Sequence, residues 1–193
     1  MKKRERAVCT RANLVLAAAR HFDQHGYDGT TLDSICREAN VTLGAVTFHF
    51  RSKAALASAV VDEGTGALRG LGAAGPATGR PLHELTSLVL LVATALQTTA
   101  LTRAAVRLVE EGHGCSGWPG DFRAQVLRLA EEAAATGDLA ADVRPATAVH
   151  VVLHVMEGVA ANARRAARRG GPPVADVEEI WYAVLGGLAA DAP

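Results

Sequence analysis

Residues 26–56 constrain the fold more than any other segment, because they carry the signals of two short helices joined by a tight turn. Thr31 is a favourable N-cap, since its hydroxyl can accept a free backbone N–H of the first turn. The helix that follows has its apolar residues on one face, namely Leu32, Ile35, Cys36 and Ala39. Asparagine is a common residue at the left-handed position that ends a helix, so the pattern predicts that this helix stops at Asn40.

Thr42 is a second N-cap and predicts a short helix over about residues 42–48, and Ser52 caps a third helix with Lys53 in its first turn. Two short helices in this arrangement form the unit that places its second helix in the major groove of DNA. The same pattern also fits an ordinary helical hairpin in an α-helical domain. The spacing alone leaves both interpretations open.

The charges are unevenly distributed along a chain whose formal net charge is zero. Residues 1–53 hold nine Lys and Arg and five acidic residues, a net charge of +4, and the remainder holds eleven and fifteen, a net charge of −4. This asymmetry favours a polyanionic partner for the first part only. The basic residues at 2–6 predict either an arm that contacts phosphates or the minor groove, or a solubilising tail.

Apolar periodicity predicts helices in the rest of the chain as well, over residues 5–25, 53–71, 81–96, 101–111, 119–136, 145–169 and 174–189. Aromatic residues make up only 4% of the sequence, so the core must be built from Ala, Val and Leu. Residues 111–120 contain four glycines and a proline and are predicted to be an irregular segment that could act as a flexible gate. The expected fold is therefore all-α.

Several functional classes are disfavoured by the sequence. Residues 85–102 carry no charge, but Thr, Ser and Gln interrupt them, so a buried helix is expected rather than a membrane span. The basic amino terminus lacks a following apolar stretch, and three distant cysteines form no disulfide framework, so a cytoplasmic protein is expected. Nucleotide-binding loops, GxSxG and zinc-finger spacings are absent, so neither an enzyme nor a cofactor is expected.

Two patterns in the carboxyl half allow more than one interpretation. The amphipathic helices 145–169 and 174–189 could form a four-helix bundle with a second subunit, or could complete a monomeric core. His150, His154 and Glu157 share a helix face and could ligate a metal, as a metal-dependent enzyme would require. We expect them instead to be half-buried polar side chains at a pocket or dimer seam.

The residues around the helix-turn-helix closely resemble the signature of the tetracycline-repressor (TetR) family. The matching residues are Gly26-Tyr27, Thr30-Thr31-Leu32, Ile35, Ala39-Asn40-Val41-Thr42, Gly44, Phe48-His49-Phe50, Ser52-Lys53 and Leu56. The resemblance implies an N-terminal three-helix DNA-binding domain, residues 1–53, and a C-terminal helical ligand-binding and dimerisation domain, residues 54–193. It also implies a homodimer that binds a pseudo-palindromic operator in double-stranded DNA.

The carboxyl part is similar to the γ-butyrolactone receptor branch of that family, on Arg103–Leu108, the irregular loop, the Phe122 helix, Gly158 and Ile180-Trp181-Tyr182. Members of this branch are repressors that a small lipophilic lactone releases from DNA. The resemblance therefore implies a ligand-responsive transcriptional repressor. The alternative is a receptor-like small-molecule binding protein with weak or altered DNA binding.

Carried over by position, the resemblance implies a DNA-contacting surface made by Thr42, Gly44, Ala45, Thr47, Phe48 and His49. Thr31 and Lys53 would contact phosphates, which position a protein on DNA without reading its sequence. The family commonly has Lys in place of Leu43 and Tyr in place of Thr47. Both replacements remove a phosphate partner and predict weaker or altered operator binding.

The implied effector pocket is lined by Leu85, Val89, Val92, Leu96, Val106, Trp118, Phe122, Val126 and Met156. Lactone receptors usually carry Trp at the position of Phe122, and a lactone carbonyl needs a donor such as an indole N–H, which Phe lacks. Trp118, one turn earlier, is a candidate substitute. The departure predicts either a different effector or a receptor-like protein that does not respond to the usual signals.

Overall fold

The computed structural model describes residues 2–72, 78–114, 116–171 and 176–190, with the side chains of residues 2–7 left undescribed. These residues form nine α-helices and no strand, which confirms the predicted all-α fold. The helices are α1 Lys2–His25, α2 Leu32–Ala39, α3 Leu43–His49, α4 Lys53–Gly72, α5 Pro81–Thr98, α6 Ala100–Glu110, α7 Trp118–Thr136, α8 Pro145–Arg169 and α9 Val177–Leu188.

The chain divides into two compact units. The first comprises Met1–Ala67 and Thr99–Ser116, and the second comprises Leu68–Thr98 and Gly117–Pro193. Residues 1–53 lie in the first unit, which also contains α6 and most of α4. The assignment of residues 1–53 as a separate DNA-binding domain stays a prediction.

The first unit is built on α1, which packs against α2 and α6. Leu14, Ala18 and Phe22, spaced one helical turn apart on one face of α1, are fully buried. Ile35 of α2 and Val46 of α3 are fully buried as well. Residues that lie far apart in the sequence thus share one apolar core, and burial of their side chains fixes the position of the two short helices.

The capping predicted from the sequence is present. The Ser34 N–H donates to Thr31 Oγ1 over 3.1 Å, and the Ala45 N–H donates to Thr42 Oγ1 over 3.3 Å. Asn40 is left-handed, with φ of 52° and ψ of 49°. Local chemistry therefore sets the ends of α2 and the start of α3, and α3 begins one residue later than expected, at Leu43.

The second unit packs α5 against α7 and α8, with α9 on α5. Its core is made of apolar side chains from all four helices, among them Leu85, Val92, Val126, Val152 and Trp181, all fully buried. Leu139 and Ala189 form an isolated antiparallel bridge that ties the end of α9 to the segment after α7. The predicted start of α9 at residue 174 lies outside the described residues.

No single helix in the described part of the chain is long and apolar enough to cross a membrane. Helices α5 and α6 meet the length and composition requirement only when they are taken together, across the break at Thr99.

Candidate DNA recognition face and effector cleft

The face of α3 that points away from the core is formed by Leu43, Gly44, Thr47 and Phe48, and we call it the recognition face. Leu43 is 47% exposed and Phe48 is 80% exposed, although both side chains are large and apolar. Val46, on the opposite side, is fully buried and holds α3 on the first unit. At about 100° per residue the four exposed positions fall within roughly 140° of arc.

The threonine hydroxyls near α3 are engaged with the backbone. Thr47 Oγ1 donates to the Gly44 carbonyl over 3.1 Å, and Thr42 Oγ1 accepts the Ala45 N–H. Thr31 is exposed and caps α2 in the same way. Predicted DNA contacts by these three residues therefore involve side chains that already stabilise helix ends or turns.

Ala45 and His49 lie at the edges of the recognition face and are half-buried. The His49 ring lies edge-on to Phe48, with 5.1 Å between the ring centres. On the buried side, Phe50 is only 5% exposed and its ring lies 5.2 Å from the Arg11 guanidinium. Arg11 also pairs with Glu63 over 2.7 Å, so α1 and α4 both support the end of α3.

Lys53, predicted to contact a phosphate, directs its ammonium into the first unit. Nζ donates to the carbonyl oxygens of Tyr27 and Thr30, each over 3.0 Å, and lies 4.1 Å from the centre of the Tyr27 ring. An ammonium has three N–H groups, and two of them bind the turn between α1 and α2. The helix-turn-helix pattern gave no signal of this contact.

Sequence reasoning also missed a cluster of charged side chains that joins α1 to α6. Arg103 Nε donates to Asp23 Oδ2 over 2.9 Å, Nη2 lies 2.9 Å from the same oxygen in an ion pair, and both side chains are buried. Arg107 donates to the Asp23 carbonyl over 2.8 Å and to Glu111 over 2.7 Å. The one-turn spacing of Arg103 and Arg107 was the only available sign that both point the same way.

Glu111 stabilises the turn after α1 by a hydrogen bond. Its carboxylate accepts the Tyr27 N–H over 2.8 Å, and the Tyr27 ring stacks on His113 with 3.7 Å between ring centres. Gly26 has φ of +72°, and a Cβ there would lie 2.6 Å from Glu111 Oε1. Glycine is therefore favoured at residue 26 by the left-handed backbone, and a side chain there would also displace the Glu111 carboxylate.

Burial alone would raise the pKa of Glu111. The hydrogen bond from the Tyr27 N–H, together with the Arg107 guanidinium and His113, outweighs burial and holds the pKa below its usual range.

The nine predicted effector-pocket residues do not all belong to the same unit. Leu85, Val89, Val92, Leu96 and Val126 are almost completely buried in the second unit, where Met156 is also buried. Val106 is half-buried and lies on α6, in the first unit, so it belongs to a different unit from the other eight.

Trp118 and Phe122 are brought together one turn apart at the start of α7. Their rings stack with 5.3 Å between centres and an interplanar angle of 17°. They line a small cleft in the second unit together with Leu88 and Gln125. Arg69 and Asp121 also line the cleft and pair over 3.2 Å. The cleft therefore combines two stacked aromatic rings with an ion pair.

The histidine pair on α8 is exposed, and so is Glu157. His154 Nδ1 lies 2.6 Å from the His150 carbonyl oxygen, which fixes that ring against its own helix. Among the residues described, no three His, Cys, Asp or Glu side chains come together in a way that could hold a metal ion.

Comparison with known proteins places the chain in a family. The profile of bacterial regulatory proteins of the tetR family matches residues 14–60. The A-factor receptor protein of Streptomyces griseus is 33% identical over 199 residues, an alignment covering 98% of this chain and 67% of that protein.

Two solved structures are similar over most of the chain. A γ-butyrolactone receptor described as an ArpA like protein has a TM-score of 0.79 at 28% identity, covering 95% of this chain and 90% of that one. CprB from Streptomyces coelicolor, in complex with its biological operator sequence, has a TM-score of 0.73 at 27% identity, with coverages of 95% and 91%. The chain belongs to the TetR family of bacterial regulatory proteins.

Proposed function

We propose that the protein is a ligand-responsive, DNA-binding transcriptional repressor that a small lipophilic effector of γ-butyrolactone type releases from its operator. The observation that carries this proposal is the recognition face of α3, which exposes Leu43 and Phe48 on a firmly packed three-helix support. An 80% exposed phenylalanine costs solubility and has no role in the core, so an external partner accounts for it. The relatives named above support operator DNA as that partner.

The first test is binding of the purified protein to DNA from upstream of its own gene, with random DNA as competitor at physiological salt. We expect specific binding that Phe48→Ala weakens severalfold without eliminating it. Leu16→Ala is the control, because Leu16 is an exposed apolar side chain (45%) on α1, outside the recognition face. The alternative is a small-molecule binding protein without operator recognition. It would be favoured if the protein bound this fragment no tighter than random DNA and if selection from a random DNA library also yielded no operator.

The effector is proposed to bind at the Trp118–Phe122 cleft. An effector shifts DNA binding only if it prefers one of two conformations of the protein. Phe122→Leu keeps an apolar side chain but removes the stacked ring, so we expect weaker release by lactones and unchanged DNA binding without them. A variant that loses DNA binding in the absence of effector would contradict this assignment.

Homodimerisation is proposed to use α8 and α9. Ile180 (42% exposed) and Tyr182 (52% exposed) leave apolar surface on α9 uncovered. Ile180, Val155 and Val177 line an open cleft of about 150 Å³ in the second unit. We expect Ile180→Asp to give a monomer by analytical ultracentrifugation. The monomer should bind a two-half-site operator more weakly than the dimer, but should bind an isolated half-site equally well.

A further inference from the structure

The recognition face has an unusual chemistry for a surface that contacts DNA. The seven residues of α3 include no Lys, Arg, Asp, Glu, Asn or Gln. The two most exposed large side chains, Leu43 and Phe48, carry no polar atom. This face therefore cannot form the bidentate hydrogen bonds by which Arg, Asn or Gln distinguish guanine and adenine.

The one hydroxyl on this face does not change that conclusion. Thr47 lies between Leu43 and Phe48 on the helix surface, and its O–H donates to the Gly44 carbonyl within α3. It presents its methyl group and an acceptor oxygen to the outside. The face consequently offers a base three apolar groups (a leucine side chain, a threonine methyl and an aromatic ring) and one hydroxyl oxygen whose O–H already donates within α3.

Gly44 adds open space to this largely apolar face. A Cβ built at this position would meet nothing closer than Thr42 Oγ1, at 3.8 Å. The first unit therefore does not require glycine here, although glycine disfavours a helix. Its missing side chain leaves a shallow gap on the recognition face, next to Leu43 and Phe48, into which a group on DNA can enter.

Among the four bases only thymine presents an apolar group, its C5-methyl, in the major groove. We propose that Leu43 and Phe48 are specificity-determining residues that read thymine methyl groups, and that the gap at Gly44 admits them. This inference rests on the proposed function, because it requires α3 to enter the major groove. It goes beyond that function by naming the chemical group that defines the operator.

The test begins with an operator selected from a random DNA library by the full-length protein. Each thymine of a half-site is then replaced by deoxyuridine, which removes the methyl and leaves base pairing intact. At one or two thymines per half-site we expect about fourfold weaker binding, the factor for burial of one methyl-sized group. Replacing such a thymine by cytosine should weaken binding, and 5-methylcytosine should restore part of the loss.

Variants tie the effect to the two side chains. In Phe48→Ala or Leu43→Ala the penalty for deoxyuridine should disappear at the thymine that the missing side chain contacts, whereas Leu16→Ala should keep the full penalty. This loss of sensitivity distinguishes methyl contacts from a sequence-dependent shape of the DNA, which would affect all variants equally.

Two results would overturn the inference while leaving the proposed function intact. One is a specific operator whose binding is indifferent to every thymine-to-deoxyuridine replacement. The other is a penalty that stays unchanged in both Phe48→Ala and Leu43→Ala. Failure to select any operator would overturn the proposed function and this inference with it.

Discussion

The ammonium nitrogen of Lys53 lies 4.1 Å from the centre of the Tyr27 ring and 3.0 Å from the Tyr27 carbonyl oxygen. The first residue of α4, three positions after the C-cap of α3, is thereby joined to the turn between α1 and α2. Tyr27 is itself bound to Glu111 and stacked on His113. One tyrosine thus connects the base of the helix-turn-helix to the segment that follows α6.

Replacing Lys53 by methionine should lower the free energy of unfolding by about 2 kcal/mol, because two charge-assisted hydrogen bonds and a cation–π contact are lost. Urea unfolding measures this change. Arg51→Met, at an exposed site two residues earlier, is the control and should have almost no effect. Unchanged stability of Lys53→Met would show that the contacts with Tyr27 and Thr30 contribute little.

The same Lys53 variant tests the phosphate contact implied by the family resemblance. Loss of one phosphate contact lowers the slope of log K against log salt concentration by about one. The remaining N–H of the ammonium is the group that would make this contact. A slope equal to that of the wild type would assign Lys53 a structural role only.

Replacing Arg103 by methionine should cost about 3–5 kcal/mol of stability, because it leaves the Asp23 carboxylate buried without a counter-charge. Asp23 Oδ1 already has no hydrogen-bond partner among the described residues, so the carboxylate depends on Arg103. Arg128→Met removes an ion pair of similar length on the surface of α7, with Glu132 at 2.7 Å, and should cost less than about 1 kcal/mol. Equal costs for the two variants would contradict the prediction.

Replacing Gly44 by alanine should have opposite effects on stability and on DNA binding. Alanine is a better helix former than glycine by up to about 1 kcal/mol, and the added Cβ has room, so thermal unfolding should shift upwards. The new methyl fills the gap on the recognition face, so operator affinity should fall. A variant that is more stable and binds DNA as tightly as the wild type would remove the reason given for this glycine.

The pH dependence of stability should contain a contribution from Glu111. Because its pKa is lowered in the folded protein, its contribution is fully present above about pH 4.5, the ordinary value of a glutamate, and is lost as the pH falls through the lower folded value. We expect the stability difference between the wild type and Glu111→Gln to be constant near neutral pH and to shrink in acid. Glu131→Gln, at an exposed site on α7, should give a small difference at every pH.

The helix-turn-helix could be predicted because its determinants are local. The hydroxyls of Thr31 and Thr42 bind N–H groups three residues away, and Asn40 takes the left-handed conformation at the end of its own helix. The buried residues Leu14, Ala18 and Phe22 of α1 likewise follow a local apolar spacing. A cap or an amphipathic stripe depends on neighbours within one or two helical turns, and these are present in the sequence itself.

The sequence alone therefore determined the helices, their caps and the residues that could face DNA. The tertiary structure decided that Lys53 binds the carbonyls of Tyr27 and Thr30, 26 and 23 residues earlier in the chain. It also decided that Arg103 neutralises Asp23 across 80 residues, and that Val106 lies in a different unit from Phe122. These outcomes depend on which helices pack together. A charge or an apolar side chain finds its partner only when packing brings distant segments within a few ångströms, and no local pattern encodes that proximity.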